Sequence, residues 1–200
     1  MSHARPALLA DRIPVRIASH PFVRDATLVA LFALLTGIAA QFKIHLGFTP
    51  VPVTGQTLAV LLAGASLGAS RGAASQGLYW LLGLVGMPVY ADGTGGWSTG
   101  TGPTMGYLVG FIVAAGVVGR LAEHRHDRAL LSSLAAMTLG SLVIYTFGAS
   151  WLAIDLGIPL ATGDRNAITL GVTPFLLGDI MKMIVASAAT SGVWKWINRA

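Results

Sequence analysis

The sequence predicts an all-α membrane protein with six transmembrane helices and both termini on the cytoplasmic side. Three observations carry that prediction. The first is composition: of 200 residues, 54% are hydrophobic and 10% charged, against about 25% charged in an ordinary soluble domain. Mean hydropathy is correspondingly high, at +0.70. The second is the recurrence of long apolar runs separated by short polar connections. The third is where the positive charge falls. Ten of the thirteen Lys and Arg lie in the N-terminal tail, at position 71, in 120–128 or at the C-terminal end. Basic residues mark the cytoplasmic side of a membrane protein. Their scatter over connections and termini does not make the basic, aromatic-studded face that nucleic acid requires. The absence of cysteine excludes disulfides, thiolate chemistry and cysteine metal sites.

Residues 1–24 read as a cytoplasmic tail, basic through Arg5, Arg12, Arg16 and Arg24 and broken by Pro6, Pro14 and Pro21. The tail is either partly disordered or includes a short amphipathic piece on the membrane surface. It lacks the apolar core and small-residue cleavage site of a signal peptide. Residues 25–200 form the six-helix membrane domain. Its first span runs from Asp25 to Ala40 and extends to Phe42 to approach the roughly 20 residues a crossing needs. Ala26 and Ala30 form a small-xxx-small pair, continued by Ala33 and Gly37, which suits either packing inside the bundle or docking of a partner helix.

The connection Lys43–Gln56 contains Phe48-Thr49-Pro50-Val51-Pro52-Val53-Thr54-Gly55-Gln56. Two prolines two apart impose extended backbone, so a lid or re-entrant segment over a cavity is expected, with Thr54 and Gln56 as neutral hydrogen-bonding groups. Spans two and three are Thr57–Ala69 and 73–91, joined through Gly68–Gly72. Residues 91–103, Ala-Asp-Gly-Thr-Gly-Gly-Trp-Ser-Thr-Gly-Thr-Gly-Pro, form a glycine-rich outer loop. It lacks the Lys-Ser/Thr end of a phosphate-binding loop and follows no strand. Span four is Thr104–Leu121 and span five Ala129–Ile154. Between them, His124 and His126 stand two apart, which does not share a helix face, so a solvated turn is expected rather than a metal site. A polar connection, 155–171, leads to the sixth span, Val172–Ile197, with Trp194 and Trp196 at its interfacial end.

That last span carries the chemistry. Asp179 and Lys182 are one turn apart on one face. Each unpaired charge in a membrane helix costs roughly 2.5–3.5 kcal/mol on the insertion scale. The pair must face a cavity, a ligand, another helix or each other. With the helix starting at Val172, Asp179 is expected about seven residues, roughly 10 Å, below its outer end, beneath the two unusual loops. Tyr79, Tyr90, Trp97 and Tyr107 are candidate walls.

Four runs in order, Pro50-Val51-Pro52-Val53-Thr54-Gly55-Gln56-Thr57, Gly83-Leu84-Val85-Gly86-Met87-Pro88-Val89-Tyr90, Gly102 through Phe111, and Phe175 through Lys182, resemble the BioY family. These are the biotin-specific S-components of energy-coupling factor (ECF) transporters. The resemblance covers residues 25–197. It implies the S-component bundle and high-affinity biotin capture in a bacterial cell membrane. It implies docking through Ala26 and Ala30 to a transmembrane coupling subunit that works with two cytoplasmic ATPases. Substrate-binding residues are then expected among Asp179, Lys182, Thr54, Gln56, Tyr90, Asp92 and Tyr107, with no catalytic residue, no metal and no cofactor. Two positions depart from the family pattern: Asp92, within Ala91-Asp92-Gly93, and Met105, where glycine is usual.

Biotin brings two ureido N–H donors, a ureido carbonyl, a thioether ring and a carboxylate. Asp179 is expected to accept the ureido N–H groups, and Lys182 to serve either the polar ring or the carboxylate. No ATP-binding motif is present, so ATP hydrolysis is expected in separate subunits. An S-component for another vitamin is the nearest alternative. An intramembrane hydrolase would need a nucleophile with a base, or ligands at helical spacing. A channel would need polar rings rather than charges concentrated in one span.

Overall fold

Local chemistry accounts for several of the helix ends among the described residues. The computed structural model describes residues 8–12 and 20–199. The expectations placed on Arg5, Pro6, Pro14 and Arg16 fall outside them. A single turn, α1 (Leu9–Arg12), precedes α2 (Pro21–Gln41), which opens on a proline where the missing N–H needs no partner. Then follow α3 (Gln56–Leu67), α4 (Ala69–Leu84), the short α5 (Trp97–Gly100), α6 (Met105–Glu123), α7 (Leu130–Leu156), α8 (Ala167–Gly171) and α9 (Leu176–Ile197). α7 ends at Gly157, in the left-handed conformation that closes helices. Asn166 and Thr169 form a reciprocal capping box on α8.

Among the described residues, four stretches are long and apolar enough to cross a membrane: Pro21–Gln41, Met105–Glu123, Leu130–Leu156 and Ala167–Ile197. At 12 and 16 residues, α3 and α4 fall short of the roughly 20 that a perpendicular crossing takes. Several boundaries differ from those expected. Gly68, at φ 83°, breaks the chain between α3 and α4 in one residue, so Arg71 sits inside α4 rather than in a connection. Lys43–Ile44 (β1) and Val53–Thr54 (β2) pair antiparallel, Lys43 opposite Thr54, and pin the proline-rich segment between them. The glycine-rich loop includes a 3-10 turn at Ala91–Gly93 as well as α5. Thr173–Phe175 is a 3-10 turn too, so α9 begins at Leu176 and Asp179 lies in its first turn. A carboxylate there is favoured by the helix dipole.

Residues 8–12 are not a free tail. Leu8, Leu9 and Ala10 are buried, Ala10 against Leu28 and Leu67. Arg71 bridges Asp11 at 3.0 Å and Asp25 at 2.9 Å, and the Arg24 guanidinium donates to Ala10 O at 2.5 Å. At the far end of α9 the two tryptophans separate. Trp196 is 71% exposed, while Trp194 is 2% exposed, donating to Asp127 beneath the Arg128 guanidinium. Trp194 is therefore a packing residue, not an interfacial anchor.

α6 is the central helix, packed against α3, α4 and α7. Small residues make this possible, since lipid supplies no hydrophobic drive between helices and close backbone approach supplies the contact instead. A Cβ on Gly119 of α6 would overlap the backbone of Gly68 and Ala69. Backbone cannot rotate away as a side chain can, so Gly119→Ala is expected to destabilise the fold by about 1–3 kcal/mol. A lowered thermal unfolding midpoint of the detergent-purified protein checks this; an unchanged midpoint contradicts it.

Candidate functional site

The helices and the two connections on one end of the bundle enclose a cavity of about 260 Å³. Every residue expected to bind substrate lines it: Thr54, Gln56, Tyr90, Asp92, Tyr107, Asp179 and Lys182. The cavity has a buried pole and an exposed rim.

The buried pole is built on α9. The Asp179 side chain is 5% exposed and Lys182 19%. Their charged atoms stand 2.7 Å apart. Lys182 Nζ also donates to Thr54 O at 2.6 Å and Thr57 Oγ1 at 3.2 Å. Thr57 donates to Asp179 Oδ1 at 2.9 Å, and the Tyr145 hydroxyl of α7 donates to Oδ2 at 2.5 Å. The Pro-Val-Thr-Gly-Gln-Thr run is thus the partner of α9. It delivers a strand-end carbonyl and a first-turn hydroxyl of α3 to one ammonium. Beside it, Thr54 Oγ1 donates to Gln56 Oε1 at 2.8 Å, and Gln56 Nε2 donates to the Tyr79 hydroxyl at 2.7 Å.

The walls are aromatic. Tyr79 and Tyr90 meet edge to face, centroids 5.7 Å apart at 81°, a preferred geometry for ring quadrupoles. The Tyr90 hydroxyl donates to Trp80 O and the Tyr107 hydroxyl to Gly171 O, both at 2.7 Å. These rings lie directly on helix backbone: a Cβ on Gly83 would overlap Tyr90, and one on Gly148 would overlap Tyr107. Burial pushes the Tyr90 hydroxyl up to about 12, so it stays neutral. Phe111 and Phe175 complete the apolar lining. Trp97 does not belong to it; its ring is 71% exposed and away from the cavity.

At the rim, Asp92 ties the two connections together. Its carboxylate lies 2.5 Å from Lys43 Nζ and 3.0 Å from His45 Nε2. The Gln41 side chain reinforces the tie by donating to Tyr90 O at 3.0 Å and accepting from Gly93 N at 3.1 Å. Asp92 sits at φ 66°, in the left-handed region that asparagine and aspartate enter more readily than other side chains. The departure from the family pattern at this position is therefore conformationally tolerated, and it adds a charge that Lys43 and His45 use.

Sequence reasoning missed Tyr145, the partner of Asp179, and gave Thr57 no role although it ends the quoted motif. A polar-tipped aromatic inside the fifth apolar span was the available signal for Tyr145. His45, Pro103, Thr104 and Phe175 also line the cavity. On α2, Ala26 is exposed and Ala30 half-buried. Ala33 and Gly37 are buried, Gly37 against Val89, so the small-residue stripe is divided between an open half and a packed half. Among the described residues no three His, Cys, Asp or Glu come together as a metal site.

Fold and site define a helical membrane protein that encloses a small-molecule cavity with one buried polar pole. Comparison with known proteins narrows the class. The sequence profile of the BioY family matches residues 9–199. The biotin transporter BioY of Rhizobium etli is 40% identical over 172 residues, covering 82% of this chain and 89% of that protein. A probable biotin transporter BioY of Pyrococcus horikoshii is 39% identical, covering 82% and 91%. The crystal structure of the S-component for biotin from an ECF-type ABC transporter superposes with a TM-score of 0.78 at 27% identity, covering 90% of this chain and 95% of that one. The chain belongs to the BioY family.

The rim tie has a defined pH dependence. Hydrogen bonding to Lys43, then the nearby positive charge of His45 and Lys43, hold the Asp92 carboxyl below its ordinary 3.8. An acid with a depressed folded-state pKa contributes fully above its ordinary value and loses that contribution as pH falls through the depressed one. The tie is therefore intact at neutral pH and released only in strong acid. At pH 7, Asp92→Asn is expected to speed amide hydrogen exchange in 43–54 and 91–96, with the unfolding midpoint little changed, because an exposed pair contributes little to global stability. Wild-type exchange, corrected for its intrinsic pH dependence, should approach the variant's only in strong acid. Equal exchange in the two proteins at pH 7 contradicts the tie.

Proposed function

We propose that this protein captures biotin as the substrate-binding subunit of an ECF-type ABC transporter in a bacterial cell membrane. The observation that carries the reading is a buried carboxylate–ammonium pair inside an aromatic-walled cavity, in a chain of the BioY family. Biotin fits this description chemically: an apolar bicycle with a compact polar edge. Asp179 accepts ureido N–H, Lys182 serves either the polar ring or the carboxylate, and Tyr79, Tyr90 and Tyr107 pack on the rings. Thr54, Gln56 and Asp92 complete the polar lining.

In this reading residues 25–200 are one membrane domain of six crossings, with the 1–24 segment cytoplasmic. The positive-inside distribution supports both termini inside, with the cavity opening outward. The chain is a binding subunit rather than an enzyme. ATP hydrolysis belongs to two cytoplasmic ATPase subunits, reached through a transmembrane coupling subunit that meets α2 at Ala26 and Ala30. The exposure of Ala26 supports that contact.

Titration of the purified protein with labelled biotin, competed by thiamine and riboflavin, tests the ligand; displacement by either at equal affinity rejects biotin specificity. Asp179→Asn and Lys182→Ala are each expected to weaken biotin binding 30-fold or more, since truncating one partner of a buried charge pair costs about 2–5 kcal/mol. Affinity within twofold of wild type in folded variants removes the pair from the site. Replacing Ala26 and Ala30 together by Leu should leave biotin binding intact and reduce recovery of the coupling subunit in co-purification; full recovery contradicts docking at these residues.

A further inference from the structure

At the mouth of the cavity one carboxylate is held at two points. Lys43 Nζ lies 2.5 Å from Asp92 Oδ1, and His45 Nε2 lies 3.0 Å from Asp92 Oδ2. Lys43 and His45 are two apart on β1 and its continuation, a spacing that puts side chains on one side of an extended chain. The hairpin register, Lys43 opposite Thr54, anchors them to the segment that enters α3. Each takes one oxygen of the same group, so together they form a receptor for a carboxylate presented there. Asp92 reaches them from the other connection, in the left-handed conformation at φ 66°. The contact is built to exchange. The Asp92 and His45 side chains are 46% and 58% exposed, and ion pairs open to water contribute little. The 91–96 connection does not depend on it alone, because Gln41 separately donates to Tyr90 O and accepts from Gly93 N. His45 and Asp92 both line the cavity.

From this geometry, and resting on the biotin reading, we infer that Lys43 and His45 receive the carboxylate of the ligand's tail, and that Asp92 is the internal occupant which that carboxylate displaces. The apolar bicycle belongs among Tyr79, Tyr90, Tyr107, Phe111 and Phe175, so the valerate chain points out of the mouth. A carboxylate is costly to take out of water unless it is paired, and the mouth offers both water and pairing. The other cation of the lining, Lys182, lies at the buried end and already bonds three acceptors. Exchange sets one carboxylate in place of another at the same two donors. It leaves no buried charge unpaired, since the released Asp92 is met by solvent. Asp92 is thereby a specificity-determining residue for the tail. A ligand ending in a carboxylate must outcompete it; a ligand with a neutral tail leaves the Lys43–Asp92–His45 contact as it stands.

Two measurements on the full purified chain test this. In the first, biotin and its neutral primary amide are titrated into wild type, Asp92→Asn, Lys43→Met and the double variant, and the ratio of the two affinities is read. Asp92→Asn should raise the preference for biotin about fivefold, and Lys43→Met should lower it by a similar factor, the scale of one exposed charge contact. Without Lys43 there is less to compete for, so adding Asp92→Asn to Lys43→Met should change the ratio by less than about twofold. Three results overturn the inference. A purely structural tie makes both single variants weaken both ligands alike. A field effect without exchange leaves the full effect of Asp92→Asn in the Lys43→Met background. A carboxylate seated at the buried end makes the ratio respond to Lys182→Met and not to the rim variants. In the second measurement, the Asp92 carboxyl ¹³C resonance is assigned by its loss in Asp92→Asn. It should move on saturation with biotin and stay in place with the amide; the same response to both ligands overturns displacement. These failures are distinct from that of the underlying reading. Without saturable biotin binding to wild type, the function and the inference both fall; tight wild-type binding with any contrary pattern rejects the inference alone.

Discussion

The structure depends on the requirement that two charges inside an apolar helix be neutralised within the protein. Asp179 and Lys182 can partly satisfy each other at one-turn spacing, but one bond leaves two ammonium donors and most of a carboxylate unmet. Buried groups left in that state carry a penalty of several kcal/mol per ion. The remaining partners must come from another element. Thr54, at the end of β2, and Thr57, in the first turn of α3, supply them, with Tyr145 arriving from α7. The ion pair thereby fixes three otherwise independent features: the hairpin, the entry of α3 and the register of α7 against α9. The stiffness of Pro50-Val51-Pro52 serves the same end, because a carbonyl aimed at an ammonium needs a backbone that does not drift.

The second constraint is space. A cavity walled by tyrosines within a narrow helical bundle needs somewhere for the rings to lie. Gly83 and Gly148 meet the need by removing the Cβ beneath Tyr90 and Tyr107. The phenol groups are then tied to backbone carbonyls at Trp80 and Gly171. Anchoring at the hydroxyl holds each ring plane fixed while its face stays apolar. The polar pole is built from β2, α3, α7 and α9 and the apolar wall from α4, α6 and the connection that carries Tyr90; α7 serves both, with Tyr145 on the carboxylate and Gly148 beneath Tyr107.

Much of this was readable in the chain before folding, and the exceptions have physical causes. Charges in a hydrophobic run are costly enough to announce themselves, so Asp179 and Lys182 stood out. The proline-rich motif did too, since two prolines in four residues leave the backbone little freedom. Tyr145 did not, because a tyrosine in an apolar span resembles any packing aromatic until its hydroxyl is seen against Asp179. Helix ends were misjudged wherever one residue made the break. Gly68 separates two helices without the polar spacer that usually signals a connection, and Pro174 leaves a 3-10 turn where an unbroken helix was expected. Trp97 and Trp194 were misjudged in opposite directions because side-chain type does not encode exposure: one rides on a surface turn, and the other finds a carboxylate to bury its N–H against.

In the proposed reading, the specificity of the site follows from its internal neutrality. Because Asp179 and Lys182 pair at 2.7 Å, their opposite charges offset each other at the buried pole, and neither stands there as a lone charge. Its selectivity lies in acceptors that a ligand must meet with donors. A compound of similar shape without N–H groups would cover the carboxylate and exclude solvent from it while leaving its remaining lone-pair positions unmet. Sites built to hydrogen-bond a polar group reject analogues lacking it far more strongly than apolar pockets reject a missing methylene. Discrimination at the buried pole and tolerance at the solvated rim therefore arise from one asymmetry. Mistakes in hydrogen bonding are expensive where the dielectric is low and cheap where solvent can repair them.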